Sequence, residues 1–402
     1  MDLFDKFDPI VELRASLPFE KADPFKVVMD EILSETEALI NGRRTILAGT
    51  NNYMGMTFHQ DAVDAAKKAI DDFGTGTTGS RVLNGTYGGH KALEATIADF
   101  YDVEQCMVFS TGYQATLGLV STLGGKDDYV IIDADCHASI YDGCSMSNAT
   151  IVRFKHNDVD NMERRLKRIP EGANKLLVVE GIYSMLGDAA PLKEMLTVAK
   201  KYGCMTIVDE AHSMGFSGKN GRGIAEAEGV EHLVDIFVGT FSKSVGTVGG
   251  FAASNHPKFD VLRFVCRPYI FTASLPPSVV ASADASIKAI KRSGNRRAHL
   301  WENANRLHAG LRGLGLEIAT DKAESPIIAV KMPDPMVGTR FWEELLMEGV
   351  YVNMAAPPAT PAGIFLMRVS VCAQHSTEQI DTIIERFGRA AKKLGLIELP
   401  KF

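Results

Sequence analysis

Short apolar runs recur along the chain at 106–109, 129–132, 151–154, 176–179, 205–208 and 236–238. Each is of strand length, and polar or glycine-containing turns separate them, so each reads as a buried strand. Between them lie segments whose apolar residues keep helical spacing. One is Pro191-Leu192-Lys193-Glu194-Met195-Leu196-Thr197-Val198-Ala199-Lys200-Lys201, which Gly203 stops. Strands alternating with helices predict an α/β fold with a mostly parallel central sheet covered on both faces. In front, residues 1–45 form an arm whose charged stretch 29–40 is expected to be helical and to end at Asn41-Gly42. Behind, Leu275-Pro276-Pro277 marks a boundary, after which a long helical region leads into a smaller α+β domain. The expected divisions are an arm at 1–45, a large α/β domain at 46–277 and a small C-terminal domain at 278–402. No internal repeat or low-complexity segment interrupts the pattern.

Composition narrows the class. With 402 residues, 46% of them hydrophobic and 23% charged, the chain can bury a large core and suits an enzyme of more than one domain. A net charge of −7 offers no broad attraction to nucleic acid. Six cysteines, Cys106, Cys136, Cys144, Cys204, Cys266 and Cys372, are scattered with no C-x-x-C pair to suggest zinc or a redox couple. They fit the reduced thiols of a cytoplasmic protein. The opening Met1-Asp2-Leu3-Phe4-Asp5-Lys6 is unlike a signal peptide, and no apolar run reaches the about 18 residues of a membrane span. Peripheral contact with a membrane stays open.

The chemistry concentrates where two apolar runs end. Thr206-Ile207-Val208-Asp209 reads as a buried parallel strand whose carboxylate emerges at its C-terminal edge, where open α/β sheets place their ligands. Glu210-Ala211-His212 follows directly. A second run, Val234-Asp235-Ile236-Phe237-Val238, delivers Gly239-Thr240-Phe241-Ser242-Lys243-Ser244 to the same edge. An acid, an imidazole and a lysine converging there suit pyridoxal phosphate (PLP). The carboxylate keeps the pyridine nitrogen protonated, and the lysine forms the Schiff base that substrate amines displace. Thr240, Ser242 and Ser244, with Gly246, Gly249 and Gly250, make a hydroxyl-rich turn suited to a phosphate. The ordinary alternative for a lone lysine is a solvated surface group. Asp-Glu-Ala-His is also a metal-binding signature of helicases, but those need a G-x-x-x-x-G-K-[ST] loop, and no stretch matches it.

Phe109-Ser110-Thr111-Gly112-Tyr113-Gln114-Ala115 offers a second phosphate site. It reads as a strand end, a tight turn and a helix start, so backbone N–H groups and the helix dipole face an anion. His137, in Asp135-Cys136-His137-Ala138-Ser139, follows the run at 129–132 and belongs at the same edge. Alone it reads as a structural histidine; beside PLP its flat ring suits stacking on the cofactor and meeting a substrate carboxylate. His212 and Ser184, the latter ending another strand, suit the cofactor's phenolic oxygen.

These residues carry a family likeness. The chain resembles the α-oxoamine synthases, PLP enzymes of fold type I that condense an amino acid with an acyl-CoA thioester and lose carbon dioxide. The likeness covers nearly the whole chain. It rests on Asn51-Asn52-Tyr53-Met54-Gly55-Met56, Gly76-Thr77-Thr78-Gly79-Ser80-Arg81, His90, Asp135-x-His137-Ala138-Ser139 and Glu180-Gly181-x-x-Ser184-Met185-x-Gly187-Asp188. Asp209-Glu210-Ala211-His212 and Phe271-Thr272-Ala273-Ser274-Leu275-Pro276-Pro277 complete it. Most branches carry glycine before the cofactor lysine. Ser242 in that place, with Pro357-Pro358-Ala359-Thr360-Pro361, is similar to the soluble bacterial branch that condenses L-serine with palmitoyl-CoA to 3-ketodihydrosphingosine.

The resemblance implies an aspartate aminotransferase-like fold. It assigns Lys243 to the covalent bond with PLP, Asp209 to the pyridine nitrogen, His212 and Ser184 to the phenolic oxygen, and His137 to ring stacking. Gly112, Tyr113, Thr240 and Ser242 would hold the phosphate, with Thr272 reaching in from a neighbouring subunit of a homodimer. Asn52 would sit near the substrate and Arg368 would bind its carboxylate, a task that suits a guanidinium. That branch typically carries arginine immediately before the Pro-Pro-Ala-Thr-Pro loop, where this chain has Ala355-Ala356. Losing such a partner could remove about 1.5–3 kcal/mol from carboxylate binding. Sister branches that use glycine or alanine, and a non-catalytic scaffold subunit of the same fold, are the alternatives. Ser242 and the proline-rich loop argue against the first and Lys243 against the second. None of the motifs expected of a plain aminotransferase is found.

Overall fold

The structure, a computed structural model, describes residues 2–357, 359–360 and 363–397. Pro358 and Pro361 of the proline-rich loop lie outside them. In chain order the strands are β1 (Glu31–Ile32), β2 (Glu37–Ile40), β3 (Arg43–Leu47), β4 (Gln105–Phe109), β5 (Tyr129–Asp133), β6 (Thr150–Phe154), β7 (Lys175–Glu180), β8 (Met205–Asp209), β9 (Ile236–Thr240), β10 (Gly250–Ser254), β11 (Ile327–Met332), β12 (Val350–Tyr351), β13 (Asn353–Ala355) and β14 (Phe365–Ser370). The chain gathers into two compact units. One comprises Asn51–Ser184 and Asp188–Trp301; the other comprises Met1–Thr50, Met185–Gly187 and Glu302–Phe402.

The larger unit is built on a seven-stranded sheet in the order β4-β10-β9-β8-β7-β5-β6. All six apolar runs seen in the sequence are strands here. β6, β5, β7, β8 and β9 run parallel, and β10 is inserted antiparallel between β9 and β4. Ile131, Ile132, Leu177, Val178, Ile207 and Val208 are wholly buried, each stabilising the fold by about 1.5–3 kcal/mol. Helices Gly112–Leu123 and Ala138–Met146 pack on one another, as does Pro277–Arg292 on Gln60–Phe73 and Gly88–Tyr101. The helix expected after Pro191 spans Leu192–Lys201 and ends before Gly203, whose φ of +68° a glycine adopts without strain.

The smaller unit holds a four-stranded sheet, β1-β2-β3-β12, and a three-stranded sheet, β11-β14-β13. Helices Pro335–Met347 and Thr377–Lys393 pack together, with Phe341 and Phe387 edge to face. The helix expected over 29–40 is not formed. Glu37–Ile40 instead pairs antiparallel with Arg43–Leu47, and Asn41 and Gly42 turn the corner with φ of 51° and 71°. Two left-handed residues, asparagine then glycine, form the two-residue hairpin turn whose twist matches that of the strands. Period-two burial, with Ala38 and Ile40 inside and Glu37 paired outward to Arg44 at 2.6 Å, prevails over the charged composition.

Candidate active site

Parallel strands bring distant residues to one edge. Register places Glu180 beside Asp209 and Asp209 beside Val238. Gly250 stands opposite both Thr240 and Phe109. The ends of β4, β7, β8 and β9 therefore share one rim with the start of β10, which is where the sequence placed its chemistry. A cavity of about 200 Å³ opens there, lined by Gly112, Tyr113, His137, Asp209, His212, Thr240, Ser242 and Lys243 among others.

At one end the rim is shaped for an anion. Thr111 caps the helix Gly112–Leu123, its hydroxyl accepting from Gln114 N at 3.0 Å, and the remaining first-turn N–H groups have no intrahelical acceptor. A Cβ on Gly112 would lie 2.6 Å from Thr240 Cβ, and one on Gly250 would strike the backbone of Gly112. The glycines let the helix start press against β9 and β10. Thr240 Oγ1 meets Ser242 Oγ at 2.8 Å, so two hydroxyls join the helix N-terminus. Tyr113 is partly exposed, its hydroxyl bonds Asp142, and its ring stands edge-on to His137.

The polar groups of the cavity are held from behind. Asp209 is nearly buried; one oxygen accepts from Thr116 Oγ1 at 3.1 Å and the other from Ala211 N at 2.9 Å. His137 Nδ1 accepts from Ser139 N at 3.2 Å, so its ring proton sits on Nε2. Burial holds this imidazole below its usual pKa, with the Lys243 cation acting in the same sense and Asp209 against it. The backbone N–H of His137 donates to Glu180 Oε1 at 2.5 Å. Burial, reinforced by Asp209, raises the Glu180 carboxyl well above the usual carboxylate range. His212 Nδ1 lies 2.8 Å from the phenolic oxygen of Tyr53.

Four expected site residues lie outside the cavity lining. Asn52 is buried in its own loop, its side chain bonded to Thr57 Oγ1 at 2.8 Å and Met56 N at 3.0 Å. Thr272 Oγ1 accepts from Gln114 Nε2 at 3.3 Å. Ser184 is half-buried past the end of β7. Arg368 belongs to the smaller unit, buried on β14 with Nη1 at 3.0 Å from Ser370 Oγ. Sequence reasoning missed the supporting roles of Glu180, Thr116 and Tyr53. Glu180 and Tyr53 lay inside quoted motifs, but only the register and the fold show what they touch.

The residues present fit PLP. Orphan N–H groups and two hydroxyls suit a phosphate. Asp209 suits a protonated ring nitrogen, and Lys243 lines the same cavity.

Known proteins resemble the chain over nearly its whole length. Residues 44–387 match the aminotransferase class I and II family. A serine palmitoyltransferase of Sphingomonas paucimobilis is 55% identical over 98% of this chain and 94% of its own. A solved serine palmitoyltransferase of Sphingomonas wittichii superposes with a TM-score of 0.97 at 59% identity, covering 99% of this chain and 100% of that one. A solved structure of SPT with PLP gives a TM-score of 0.96 at 54% identity, over 99% of this chain and 100% of that one.

Proposed function

The chain belongs to the aminotransferase class I and II family, in the branch of the bacterial serine palmitoyltransferases, and on that premise we propose that it condenses L-serine with palmitoyl-CoA. The products are 3-ketodihydrosphingosine, coenzyme A and carbon dioxide, and the cofactor is PLP. The observation that carries this reading is one cavity lined by Lys243, Asp209, His137 and the capped start of helix Gly112–Leu123, in a chain of this ancestry.

PLP, when bound, supplies an electron sink for the carbanion at the α-carbon of serine. The protein's own residues do the rest. Gly112, Tyr113, Thr240 and Ser242 hold the phosphate, and Asp209 keeps a proton on the ring nitrogen. His137 would stack on the ring and offer Nε2–H to the serine carboxylate. His212 and Ser184 serve the phenolic oxygen, with Asn52 near the substrate. Lys243 would hold the cofactor covalently and, as a free amine, would take the α-proton of serine, which requires its pKa to fall from the ordinary ~10.4. Arg368 binds the serine carboxylate without help from an arginine at position 356, which is alanine. A homodimer places Thr272 of one subunit at the site of the other. The enzyme works in the cytoplasm. Two features agree with that: no described helix is long and apolar enough to cross a membrane, and the cysteines are buried free thiols.

Mass spectrometry of a reaction containing PLP, palmitoyl-CoA and isotope-labelled L-serine tests the reading. Labelled 3-ketodihydrosphingosine is expected. A PLP-loaded protein that forms none would overturn it.

A further inference from the structure

Beyond the cavity, His156 sits between two acids. It follows edge strand β6, and its Nδ1 lies 2.8 Å from Asp133 Oδ1 while its Nε2 lies 2.7 Å from Asp188 Oδ2. A neutral imidazole has one N–H, so donation to both carboxylates needs the cation. Burial opposes that charge, but the bonds to Asp133 and Asp188 outweigh it and raise the His156 pKa to about 10. Asp135, 3.9 Å from Nδ1, is a third acid facing the ring. Asn157 repeats the bridge: its backbone N–H donates to Asp133 Oδ2 at 2.8 Å and its side chain to Asp188 Oδ2 at 2.8 Å. It does so from a left-handed φ of 52°, a conformation asparagine tolerates better than most residues.

Both acids root loops that carry expected site residues. Asp133 ends β5 and is wholly buried; its Oδ1 also accepts from Asp135 N at 2.8 Å, two residues before His137. Asp188 closes the loop that leaves β7 at Glu180 and carries Ser184, and its carbonyl accepts from Tyr183 N at 2.9 Å. The His156 ring meets Tyr183 edge to face at 4.5 Å. β6, β5 and β7 are neighbours in the sheet, so the bridge spans the adjacent loops that follow β5 and β7.

We propose that His156 is a positioning residue, bridging Asp133 and Asp188 as a cation so that the loops carrying His137 and Ser184 hold one arrangement toward the cofactor site. This rests on the PLP reading of that site. His156→Phe removes both donors and leaves the buried Asp133 and the half-buried Asp188 facing one another, which displaces the loops.

The test compares His156→Phe and His156→Gln with wild type by PLP titration of the apoprotein and by the absorption spectrum of bound PLP. A 10-fold or greater loss of PLP affinity and a shifted spectrum are expected, with kcat for coenzyme A release falling more than KM for palmitoyl-CoA rises. His156→Gln combined with Asp188→Asn rebuilds a neutral bridge and should recover most of the PLP affinity. NMR of wild-type holoprotein with ¹⁵N-labelled histidine needs no folded variant, and should show His156 protonated on both nitrogens at pH 8. A singly protonated ring there would overturn the proposal. So would variants that melt earlier but keep wild-type PLP affinity and spectrum. A wild-type protein that takes up no PLP would overturn the site reading as well.

Discussion

The phenolic oxygen of Tyr53 lies 2.8 Å from His212 Nδ1 and donates its own proton to Asn51 Oδ1 at 3.1 Å. Since that hydroxyl has one proton, His212 Nδ1 is the donor in the first bond. Tyr53 thus holds a proton on Nδ1 of a histidine 159 residues away. Tyr53→Phe keeps the ring packing on Phe216 and removes the hydroxyl, both as acceptor for His212 and as donor to Asn51. The expected loss is about 1 kcal/mol, read as a roughly fivefold drop in kcat with KM for serine nearly unchanged in steady-state kinetics.

Lys243 and Asp209 line one cavity, and the proposed function gives them separate tasks. Lys243→Ala should remove coenzyme A release by at least about 1,000-fold, as loss of a covalent catalyst does. Asp209→Asn should still bind PLP by absorbance, yet turn over at least about 100-fold more slowly, because a neutral amide no longer stabilises the protonated ring nitrogen.

The helix start at Gly112 leaves no room for a methyl group, since a Cβ there would lie 2.6 Å from Thr240 Cβ and 2.9 Å from Thr240 Oγ1. Gly112→Ala should separate the helix N-terminus from the Thr240 and Ser242 hydroxyls. Titration of the apoprotein should show PLP affinity weakened about 10-fold or more, with a smaller effect on thermal stability.

Glu210 gives a pH signature. Its wholly buried carboxyl accepts from Ile224 N at 3.0 Å and Ala225 N at 2.9 Å and is bonded by Ser213, but burial dominates and raises its pKa to about 7. The unfolded carboxyl titrates near 4.5, so between these values the folded state holds more protons. The Glu210 contribution to stability is full below pH 4.5 and is lost as pH rises through 7, by about 3 kcal/mol at most. Glu210→Gln removes this slope. Melting temperature should decline less steeply from pH 5 to 8 in the variant than in wild type, whatever the offset between them.

The sequence was most legible where burial repeats along the chain. Met205–Asp209 and Ile236–Thr240 announce themselves as apolar runs with a polar end, and the sheet then brings Asp209, Lys243 and His137 to one rim. β10 escaped notice because Gly250, Ala252 and Ala253 are small and weakly apolar, although all are buried. The strand at Glu37–Ile40 was hidden under helix-favouring glutamates, although its Asn41-Gly42 turn was in plain view. Pairings across long separations, such as Tyr53 with His212 or His156 with Asp133 and Asp188, leave no local signal in one chain. They follow from the register and the folding of the loops around it, and that is why the supporting groups behind His137 and His212 were the part left unread.

The central claim is tested most directly by coenzyme A release from palmitoyl-CoA by the PLP-loaded protein, with L-serine, glycine or L-alanine as the amine donor. Release with L-serine is predicted, with kcat/KM for the other two lower by about 10-fold or more. Turnover with glycine or L-alanine and none with L-serine would contradict the account.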